Sequence, residues 1–566
     1  MELRHCIKET RVGGAIRFCA RLSLFSLLVL LALNTTGHAA EGSVGEVQPP
    51  DHPAVVIPTA DVPPSVAVLS GAWEGTWSNG AKSVLVVYRL EKGKARLLHA
   101  FGEGDNLLAW HEWARPTVVP GDKPRLEWKN DWSSVAFELS PATGELSGEL
   151  REFSRDGGGK TWRVVMRHRN IERVAPEKVK APLVCPELAR ELRLIEEESD
   201  QKRRTLLVDA LMGRAKQGGT PLTEPGATAG TTCATFIYRG EAREVGISGD
   251  MNGWSEQKEL LFRLPGMDLF YYCGEYPADS RIEYNLVIDG TAGLDPFNPR
   301  VSLFNRKSNS EVPMPGYRPP PEVEPAPVAA RGTVEEIAIV SKQPGMSRTA
   351  TVYLPVGYAG SAERYPVLYL NDAFGALKFG SMINVLDNLI RRRVVPPLIA
   401  VLLPSVGDRM VEYSMNPRFE SFVVEAVVPA VDRRYRTRPS PEFRAVGGIS
   451  AGATAALSLA INHPDLFGKC MAQSTATKLA PLIKLARSGP KAPIRVYLDV
   501  GRFESDYHGK DLVEASHRIR DALVAHGCPV HLREVNEGHG WRNWRARMGE
   551  ALEFLFASLS AMERGE

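Results

Sequence analysis

A serine between two glycines carries the strongest chemical signal in the sequence. The segment Gly448-Ile-Ser-Ala-Gly452 follows an apolar strand pattern at 443–447 and precedes a helical pattern at 453–461. Strand, G-x-S-x-G and helix, in that order, are the context of a nucleophile elbow. The glycines permit the tight turn that projects the serine oxygen at the carboxyl end of the strand. We therefore predict Ser450 as a nucleophile and the amide of Ala451 as a donor to a developing oxyanion.

A serine hydroxyl is a weak nucleophile, so it needs a base and an acid that orients the base. Around such an elbow the chain order is serine, acid, histidine. We predict His539 as the base, because it follows the last predicted strand and because Gly538 and Gly540 let its ring turn back toward the elbow. Four other histidines lie on predicted helices, on the last strand or at a helix-ending turn: His463, His517, His526 and His531.

The acid should follow the preceding strand, which we predict at 494–500. Three carboxylates qualify by position. Glu504 is favoured because it lies in the loop after the strand, and Asp506 in the same loop is an alternative. Asp499 is a third candidate, but its place within the strand or its final turn also suits a structural role.

The elements that must position these residues alternate along the C-terminal part of the chain. Apolar runs at 365–370, 397–403 and 443–447 are separated by helical patterns at 379–393 and 419–435. Continuous apolar strands separated by helices indicate a mostly parallel sheet that is covered on both faces. We place this domain at residues 332–566.

An all-β region is predicted at residues 67–174, where short strand patterns alternate with turn residues. Its opening, Gly71-Ala-Trp-Glu-Gly-Thr-Trp77, resembles the first strand of lipocalin-like barrels. A ligand-binding barrel and a barrel whose tryptophans only fill the core are both compatible with this pattern.

Less regular segments join the predicted domains. Residues 41–66 form a Pro-rich linker, and residues 175–219 form a helical linker in which 186–216 is predicted as one helix. A second all-β region follows at 220–311, and a Pro-rich, semi-rigid spacer at 312–331 leads into the C-terminal domain.

Two parts of the chain resemble the enterochelin (siderophore) esterase and related serine esterase family. Gly249-Asp-Met-Asn-Gly-Trp254 and Leu294-Asp-Pro-Phe-Asn-Pro299 resemble the N-terminal immunoglobulin-like (early-set) domain of these enzymes. The esterase domain is recognised in several segments of residues 332–562: Tyr365–Asp372, Asp408–Tyr413, Val428–Tyr435, the elbow, and Gly538–Trp541. The resemblance implies an α/β-hydrolase domain preceded by an immunoglobulin-like sandwich, and the first β region lies outside it. With the lipocalin-like opening of that region, we expect a multidomain chain of a lipocalin-like barrel, an immunoglobulin-like sandwich and an α/β-hydrolase.

The resemblance also implies roles for residues of the site. It implies a triad of Ser450, His539 and an acid at Glu504, with oxyanion donors at the amides of Ala373 and Ala451. Substrate-pocket candidates are Arg409, Glu412 and Trp541; a surface salt bridge is the alternative for the first two. The family often has glycine where this chain has Ala373, which predicts a narrowed site or a shifted oxyanion geometry.

Composition and the N-terminus set the cellular context. Hydrophobic residues make up 43% and charged residues 24%, and the net charge is +2, which argues against a polytopic membrane protein and against nucleic acid as a partner. Basic residues precede the apolar segment 22–33, and small residues end at Ala40. We predict a signal peptide at 1–40, a periplasmic or secreted protein, and no stable membrane anchoring after cleavage, with an uncleaved anchor helix as the alternative.

Cysteine usage is sparse after the predicted cleavage. Five cysteines remain, no CxxC occurs, and no cysteine–histidine cluster has zinc-like spacing, so neither a metal nor an organic cofactor is expected. Cys233 and Cys273 fall on predicted strands of one domain and could form a disulfide or remain separate buried thiols. The full set is Cys185, Cys233, Cys273, Cys470 and Cys528.

These observations predict a serine carboxylic-ester hydrolase that acts on a small-molecule ester. The resemblance favours a catecholate siderophore ester, cleaved to release iron. A feruloyl or acetyl esterase on plant polysaccharide, with glycan-binding β domains, is the alternative of the same chemistry. A binding protein with a vestigial hydrolase domain is the alternative of another class; the intact serine, acid and histidine argue against it.

Overall fold

The computed structural model of the chain describes residues 47, 54–91, 93–104, 108–130, 133–153, 159–176, 184–304 and 307–564. The predicted signal peptide and parts of the two linkers at 41–66 and 175–219 lie outside the described residues. Within these ranges, no helix is long and apolar enough to cross a membrane.

The predicted first β region is confirmed as a closed antiparallel barrel of eight strands, β2–β4 and β6–β10 in the order β3-β2-β10-β9-β8-β7-β6-β4, with β4 pairing back to β3. A ninth strand, β5, pairs with β4, and β1 pairs with β11 beside the barrel. The bounds are β1 Val55–Val56, β2 Gly71–Thr76, β3 Lys82–Glu91, β4 Lys94–Phe101, β5 Trp110–Ala114, β6 Thr117–Val119, β7 Arg125–Lys129, β8 Ser133–Ser140, β9 Glu145–Glu152, β10 Thr161–Arg169 and β11 Arg173–Val174; the helix Pro64–Ala67 precedes β2.

Strict alternation of side chains explains how the barrel buries its core. Along β8 every second residue is buried, and Val135, Phe137 and Leu139 point inward. Trp77 of the predicted lipocalin-like opening packs edge-on against Phe137, with ring centroids 6.0 Å apart. This tryptophan therefore belongs to the barrel core.

The prediction of one helix over 186–216 is wrong, because two helices, Pro186–Glu197 and Gln201–Gly218, occupy this segment. Asp200 has an extended backbone and its carboxylate accepts a hydrogen bond from the Arg203 amide at 2.8 Å. An aspartate in this position caps a new helix instead of continuing the old one.

The disulfide pairing suggested for Cys233 and Cys273 is also wrong. Cys233 is bonded to Cys185, whose Cα lies 5.4 Å away, and Cys273 is a buried free thiol. In the strand register Cys233 lies opposite Glu275, so the two strand cysteines do not face each other. The bond ties the helical segment to the following sheet.

The second β region consists of two antiparallel sheets, ordered β12-β13-β17-β16 and β15-β14-β18-β21-β20, with β19 on β18. The bounds are β12 Leu222–Pro225, β13 Thr231–Arg239, β14 Val245–Gly249, β15 Glu259–Leu260, β16 Phe262–Arg263, β17 Leu269–Pro277, β18 Arg281–Ile288, β19 Thr291–Gly293, β20 Val301–Phe304 and β21 Lys307–Pro313. Phe236 of one sheet packs edge-on against Tyr284 of the other, with centroids 4.7 Å apart. The two sheets therefore share one core, as in a sandwich.

The Pro-rich segment predicted as a spacer is packed onto the C-terminal domain. Val323 lies in the core beside the helix Met382–Arg391. Asn384 Nδ2 donates to the Val323 carbonyl at 2.8 Å, and Asn388 Nδ2 donates to the Glu324 carbonyl at 2.8 Å. Two side-chain amides thus satisfy the backbone of a segment that proline prevents from joining a sheet.

The C-terminal domain is an eight-stranded mixed sheet, ordered β22-β23-β25-β24-β26-β27-β28-β29. Strands β24 to β29 are parallel to one another, whereas β23 is antiparallel to both β22 and β25. The strand bounds are β22 Thr333–Ile339, β23 Arg348–Leu354, β24 Val367–Asn371, β25 Ile399–Leu403, β26 Arg444–Ile449, β27 Lys469–Gln473, β28 Arg495–Gly501 and β29 Val530–Val535. The helices are Ala373–Lys378, Met382–Arg391, Arg409–Glu412, Pro417–Phe422, Val428–Arg434, Ala451–Asn462, Leu479–Ser488, Leu512–Ala525 and Trp541–Arg564.

Burial on both faces explains the continuous apolar runs seen in the sequence. Every residue of β24, β25, β26 and β27 is buried. The mostly parallel sheet predicted here is therefore confirmed. Since loops at the carboxyl ends of parallel strands meet at one edge of the sheet, the segments after β24, β26, β28 and β29 can form one site.

Candidate active site

Ser450 occupies the sharp turn between β26 and the helix Ala451–Asn462. Its backbone has φ 57° and ψ −119°, a conformation that non-glycine residues rarely adopt. A Cβ at position 448 would lie 2.1 Å from the Gly452 carbonyl oxygen, and a Cβ at Gly452 would lie 2.7 Å from Asp372 Oδ2. The two glycines of the motif are therefore required by close packing around the serine.

His539 lies between β29 and the last helix, and its Nε2 is 2.9 Å from Ser450 Oγ. Its ring stacks on Tyr507 with centroids 4.0 Å apart and meets the edge of Trp544 at 4.8 Å. Two aromatic contacts at a steep angle to each other fix the plane of the imidazole. The histidine is thus held in contact with Ser450, the nucleophile predicted from the sequence.

Glu504 is fully buried, and its Oε2 lies 3.3 Å from His539 Nδ1. Its other oxygen, Oε1, accepts from Ser474 Oγ at 2.7 Å and from the Gly501 amide at 3.2 Å. Both carboxylate oxygens therefore have partners, which compensates for the burial of a charge. Serine, histidine and glutamate form one continuous series of contacts.

The two alternative acids lie elsewhere. Asp499 Oδ2 accepts from Gln473 Nε2 at 2.7 Å, and burial raises the pKa of Asp499 to about 7 despite the opposing effect of Arg547. The Asp506 carboxylate lies against His111 and Lys258. Among the three candidates, only Glu504 contacts the histidine.

The predicted oxyanion donors begin two helices. Ala451 is the first residue of the helix after Ser450, and Ala373 is the first residue of the helix Ala373–Lys378. The first amides of a helix have no acceptor within it, so they are available to a ligand. Asn371 Nδ2 donates to the Gly452 carbonyl at 3.0 Å and ties the two segments together.

The structure shows why alanine suits position 373. The left-handed residue of this turn is Asp372, with φ 65° and ψ 46°, whereas Ala373 is already helical. Aspartate tolerates that region better than most residues. Glycine is instead required at Gly375, where a Cβ would lie 1.9 Å from the Trp541 ring.

The three predicted pocket residues take different places. Arg409 Nη2 donates to Asp372 Oδ2 at 2.7 Å and to the Ile449 carbonyl at 3.1 Å, so it lies beside the elbow. Glu412 is buried and forms an ion pair with Arg348 instead of with Arg409. Trp541 is 5% exposed and packs beneath the helix Ala373–Lys378.

Several residues of the site carry no sequence signal strong enough to have been predicted. Ser474 has φ 48° directly after β27 and donates to Glu504, and Trp544 Nε1 donates to Ser474 Oγ at 2.8 Å. Exposed apolar side chains follow the predicted oxyanion alanine and Arg409: Phe374, Met410 and Val411. Among the described residues, no cluster of three or more His, Cys, Asp or Glu side chains could hold a metal ion.

Comparison with known proteins finds an esterase family match within the C-terminal part of the chain. Residues 341–555 match the family model described as "Putative esterase". The chain is 27% identical over 240 residues to the endo-1,4-beta-xylanase/feruloyl esterase of Xylanibacter ruminicola, a match that covers 40% of this chain and only 31% of that protein. It is 23% identical over 407 residues to the iron(III) enterobactin esterase of Dickeya dadantii, covering 60% of this chain and 90% of that protein.

A solved structure shows the same fold. The crystal structure of ferric enterobactin esterase from Salmonella typhimurium superposes with a TM-score of 0.51 at 18% identity, over 61% of this chain and 99% of that chain. At this identity the likeness concerns the fold alone. The family match itself is confined to residues 341–555 and is to the family described as "Putative esterase".

Proposed function

We propose that the chain is a serine hydrolase of carboxylic esters. The observation that carries the proposal is the contact series from Ser450 Oγ to His539 Nε2 at 2.9 Å and from His539 Nδ1 to Glu504 at 3.3 Å, built on a strained strand-to-helix turn. A triad is recognised by such geometry and by the roles the groups can take.

The geometry supports a two-step acyl transfer. His539 carries its proton on Nδ1 and donates a hydrogen bond from there to Glu504. Nε2 is then unprotonated and can take the Ser450 proton. The serine oxygen then bonds to the ester carbonyl carbon, and the amides of Ala451 and Ala373 donate to the resulting oxyanion. Each such donor is worth about 3–4 kcal/mol of barrier. The carbon–oxygen bond to the alcohol breaks as His539 gives the proton to the leaving alcohol oxygen. In the second step His539 takes a proton from water, the water oxygen bonds to the acyl carbon, and the acid leaves as the proton passes to Ser450.

The substrate we favour is a catecholate siderophore ester. The matched protein of Dickeya dadantii is an iron(III) enterobactin esterase, and the match covers 90% of its length. Exposed Phe374, Met410 and Val411 could cover an aromatic group beside the elbow, and Arg409 places a cation next to them. Aromatic rings and cations together suit a phenolic, electron-rich ring.

A feruloyl or acetyl ester of plant polysaccharide is the second candidate, favoured by the 27% identity to the xylanase/feruloyl esterase. The kcat/KM values for ferric enterobactin and for ethyl ferulate, measured side by side, decide between them. Retention of residues 67–311 on xylan or starch would favour the glycan-linked alternative.

The finer assignments of fold and location belong to the same proposal. The barrel is of lipocalin-like type, the sandwich immunoglobulin-like and the C-terminal domain an α/β-hydrolase. The apolar segment 22–33 directs the protein to the periplasm or out of the cell after cleavage at Ala40. The first residue of the mature protein, identified by N-terminal sequencing, tests this assignment.

The proposed activity is tested with p-nitrophenyl acetate and butyrate, comparing the mature chain with Ser450→Ala. We expect turnover in the first and its loss in the second. Equal activity in both proteins would overturn the assignment of Ser450, and a folded wild type without any ester hydrolysis would favour the binding-protein alternative.

A further inference from the structure

The turn that carries Glu504 is in contact with both β regions. This acid turn, residues 502–510, begins with a 3-10 helix over Arg502–Asp506. It supplies Glu504 to one side of His539 and Tyr507 to the face of its ring, at 4.0 Å. Displacement of the acid turn would therefore move two of the groups that hold the histidine.

The barrel binds the acid turn through the start of β5. The His111 amide donates to the Gly509 carbonyl at 3.0 Å, and His111 Nε2 lies 2.8 Å from Asp506 Oδ1. Gly509 has φ 76°, and a Cβ there would lie 1.6 Å from the His111 carbonyl oxygen. The close approach thus needs glycine on the turn and fixes one edge of the barrel against it.

The sandwich binds the same carboxylate from the other side. Lys258 Nζ lies 2.9 Å from Asp506 Oδ2, and the His508 amide donates to the Gly253 carbonyl. Burial alone would raise the pKa of Asp506, but His111 and Lys258 outweigh it and hold this pKa below its usual value. Each oxygen of Asp506 is thus occupied by a different β region.

We propose that His111 of the barrel is a positioning residue for the esterase reaction: by binding Asp506 it holds Tyr507 against the His539 ring and Glu504 at its Nδ1. The inference rests on the proposed function. It gives the barrel, which lies outside the family match at 341–555, a part in the active site of a neighbouring domain. Loss of the contact between His111 and Asp506 should therefore lower kcat in a protein that still folds.

The test compares four variants in the full-length mature chain on p-nitrophenyl butyrate: His111→Ala, His111→Gln, Asp506→Asn and the double variant His111→Ala/Asp506→Asn. We expect His111→Ala to lower kcat about tenfold while KM changes less than about twofold, because a positioning defect affects the transition state more than substrate binding. Gln, which keeps a donor of similar reach, should restore most of the rate. The double variant should be no slower than the slower single variant, as for two members of one unit.

A matched control separates positioning from general loosening of the barrel. Arg518 Nη2 lies 2.8 Å from Glu103 Oε1 and also joins the barrel region to the C-terminal domain, but it does not touch the acid turn. Glu103→Gln should therefore leave kcat within about twofold of wild type. Thermal unfolding of each variant reports whether the fold is kept.

Several results would overturn the inference. A kcat for His111→Ala equal to that of Glu103→Gln, a change in KM alone, or additive losses in the double variant would each do so. If His111→Ala does not fold, the His111→Gln and Asp506→Asn variants carry the same comparison. If wild type is active, Ser450→Ala is inactive and His111→Ala is unaffected, the role of His111 is refuted and the proposed function stands. A wild type that neither hydrolyses esters nor reacts with a fluorophosphonate would refute both the role of His111 and the proposed function.

Discussion

Replacing Glu504 by glutamine should reverse the proton arrangement of His539. Two donors, the Ser474 hydroxyl and the Gly501 amide, point at Oε1, whereas among the described residues only His539 Nδ1 faces Oε2. The Ser474 hydroxyl donates to Glu504 and accepts from Trp544 Nε1. An amide nitrogen at the Oε1 position would leave the buried Gly501 amide unpaired, at a cost of about 1–3 kcal/mol, and would turn the Ser474 proton away from its acceptor.

The glutamine oxygen therefore takes the Oε1 position, and the NH₂ group faces His539 Nδ1. The histidine must then accept at Nδ1 and carry its proton on Nε2, where it cannot receive the Ser450 proton. For a base in the wrong tautomer we expect kcat to fall about 10³- to 10⁴-fold, which corresponds to an increase of about 4–5.5 kcal/mol in the activation free energy.

The assay is steady-state hydrolysis of p-nitrophenyl butyrate, with thermal unfolding as a check on folding. Asp499→Asn serves as the control, because this buried acid lies within β28 and accepts from Gln473 instead of contacting His539. It should stay within about threefold of wild type. A Glu504→Gln variant that keeps more than about a tenth of the wild-type kcat would refute the reasoning on the tautomer.

Three further predictions concern the packing and ionisation of the same domains. Gly452→Ala places a Cβ 2.7 Å from Asp372 Oδ2, so the oxyanion turn must shift, and we expect kcat to fall about tenfold, measured beside an unchanged far-UV spectrum. The pKa of Asp499 is raised to about 7 from about 3.9 in the unfolded chain, so the folded state holds the extra proton and stability falls as pH rises between these values. The Tm of wild type should therefore drop relative to Asp499→Asn from pH 4 to pH 7, and parallel curves would contradict this. Cys185→Ser removes the bond to Cys233 across a separation of 48 residues and should lower the free energy of unfolding in urea by about 2–4 kcal/mol; a variant as stable as the oxidised wild type would contradict this.

The central contacts of the site were predictable because local rules fix them. The glycines around Ser450 specify a turn, and the glycines around His539 specify a loop at the same sheet edge. The chain order of serine, acid and histidine then pairs residues 89 positions apart. Position along the chain does not decide among the three acids, because Glu504 and Asp506 share a short 3-10 helix and Asp499 lies in the strand before it.

Long-range packing explains what the sequence did not reveal. The Cys185–Cys233 bond joins a helix start to a strand of another element, and no spacing rule selects it over Cys273. The ion pair that buries Glu412 against Arg348 likewise depends on the register of β23 and the loop after β25. The contacts of the β-barrel to the acid turn come from a few residues around His111, through its amide as well as its side chain, and no local pattern in the sequence indicates them.

The most direct test of Ser450 as the nucleophile is to identify the residue that a fluorophosphonate labels covalently. The mature chain is treated with the probe, digested and analysed by mass spectrometry, beside Ser450→Ala. A single adduct on the peptide that contains Ser450, absent from the variant and slowed in Glu504→Gln, is the predicted result. Labelling at another serine, or none in a folded wild-type protein, would contradict the claim that Ser450 is an activated nucleophile.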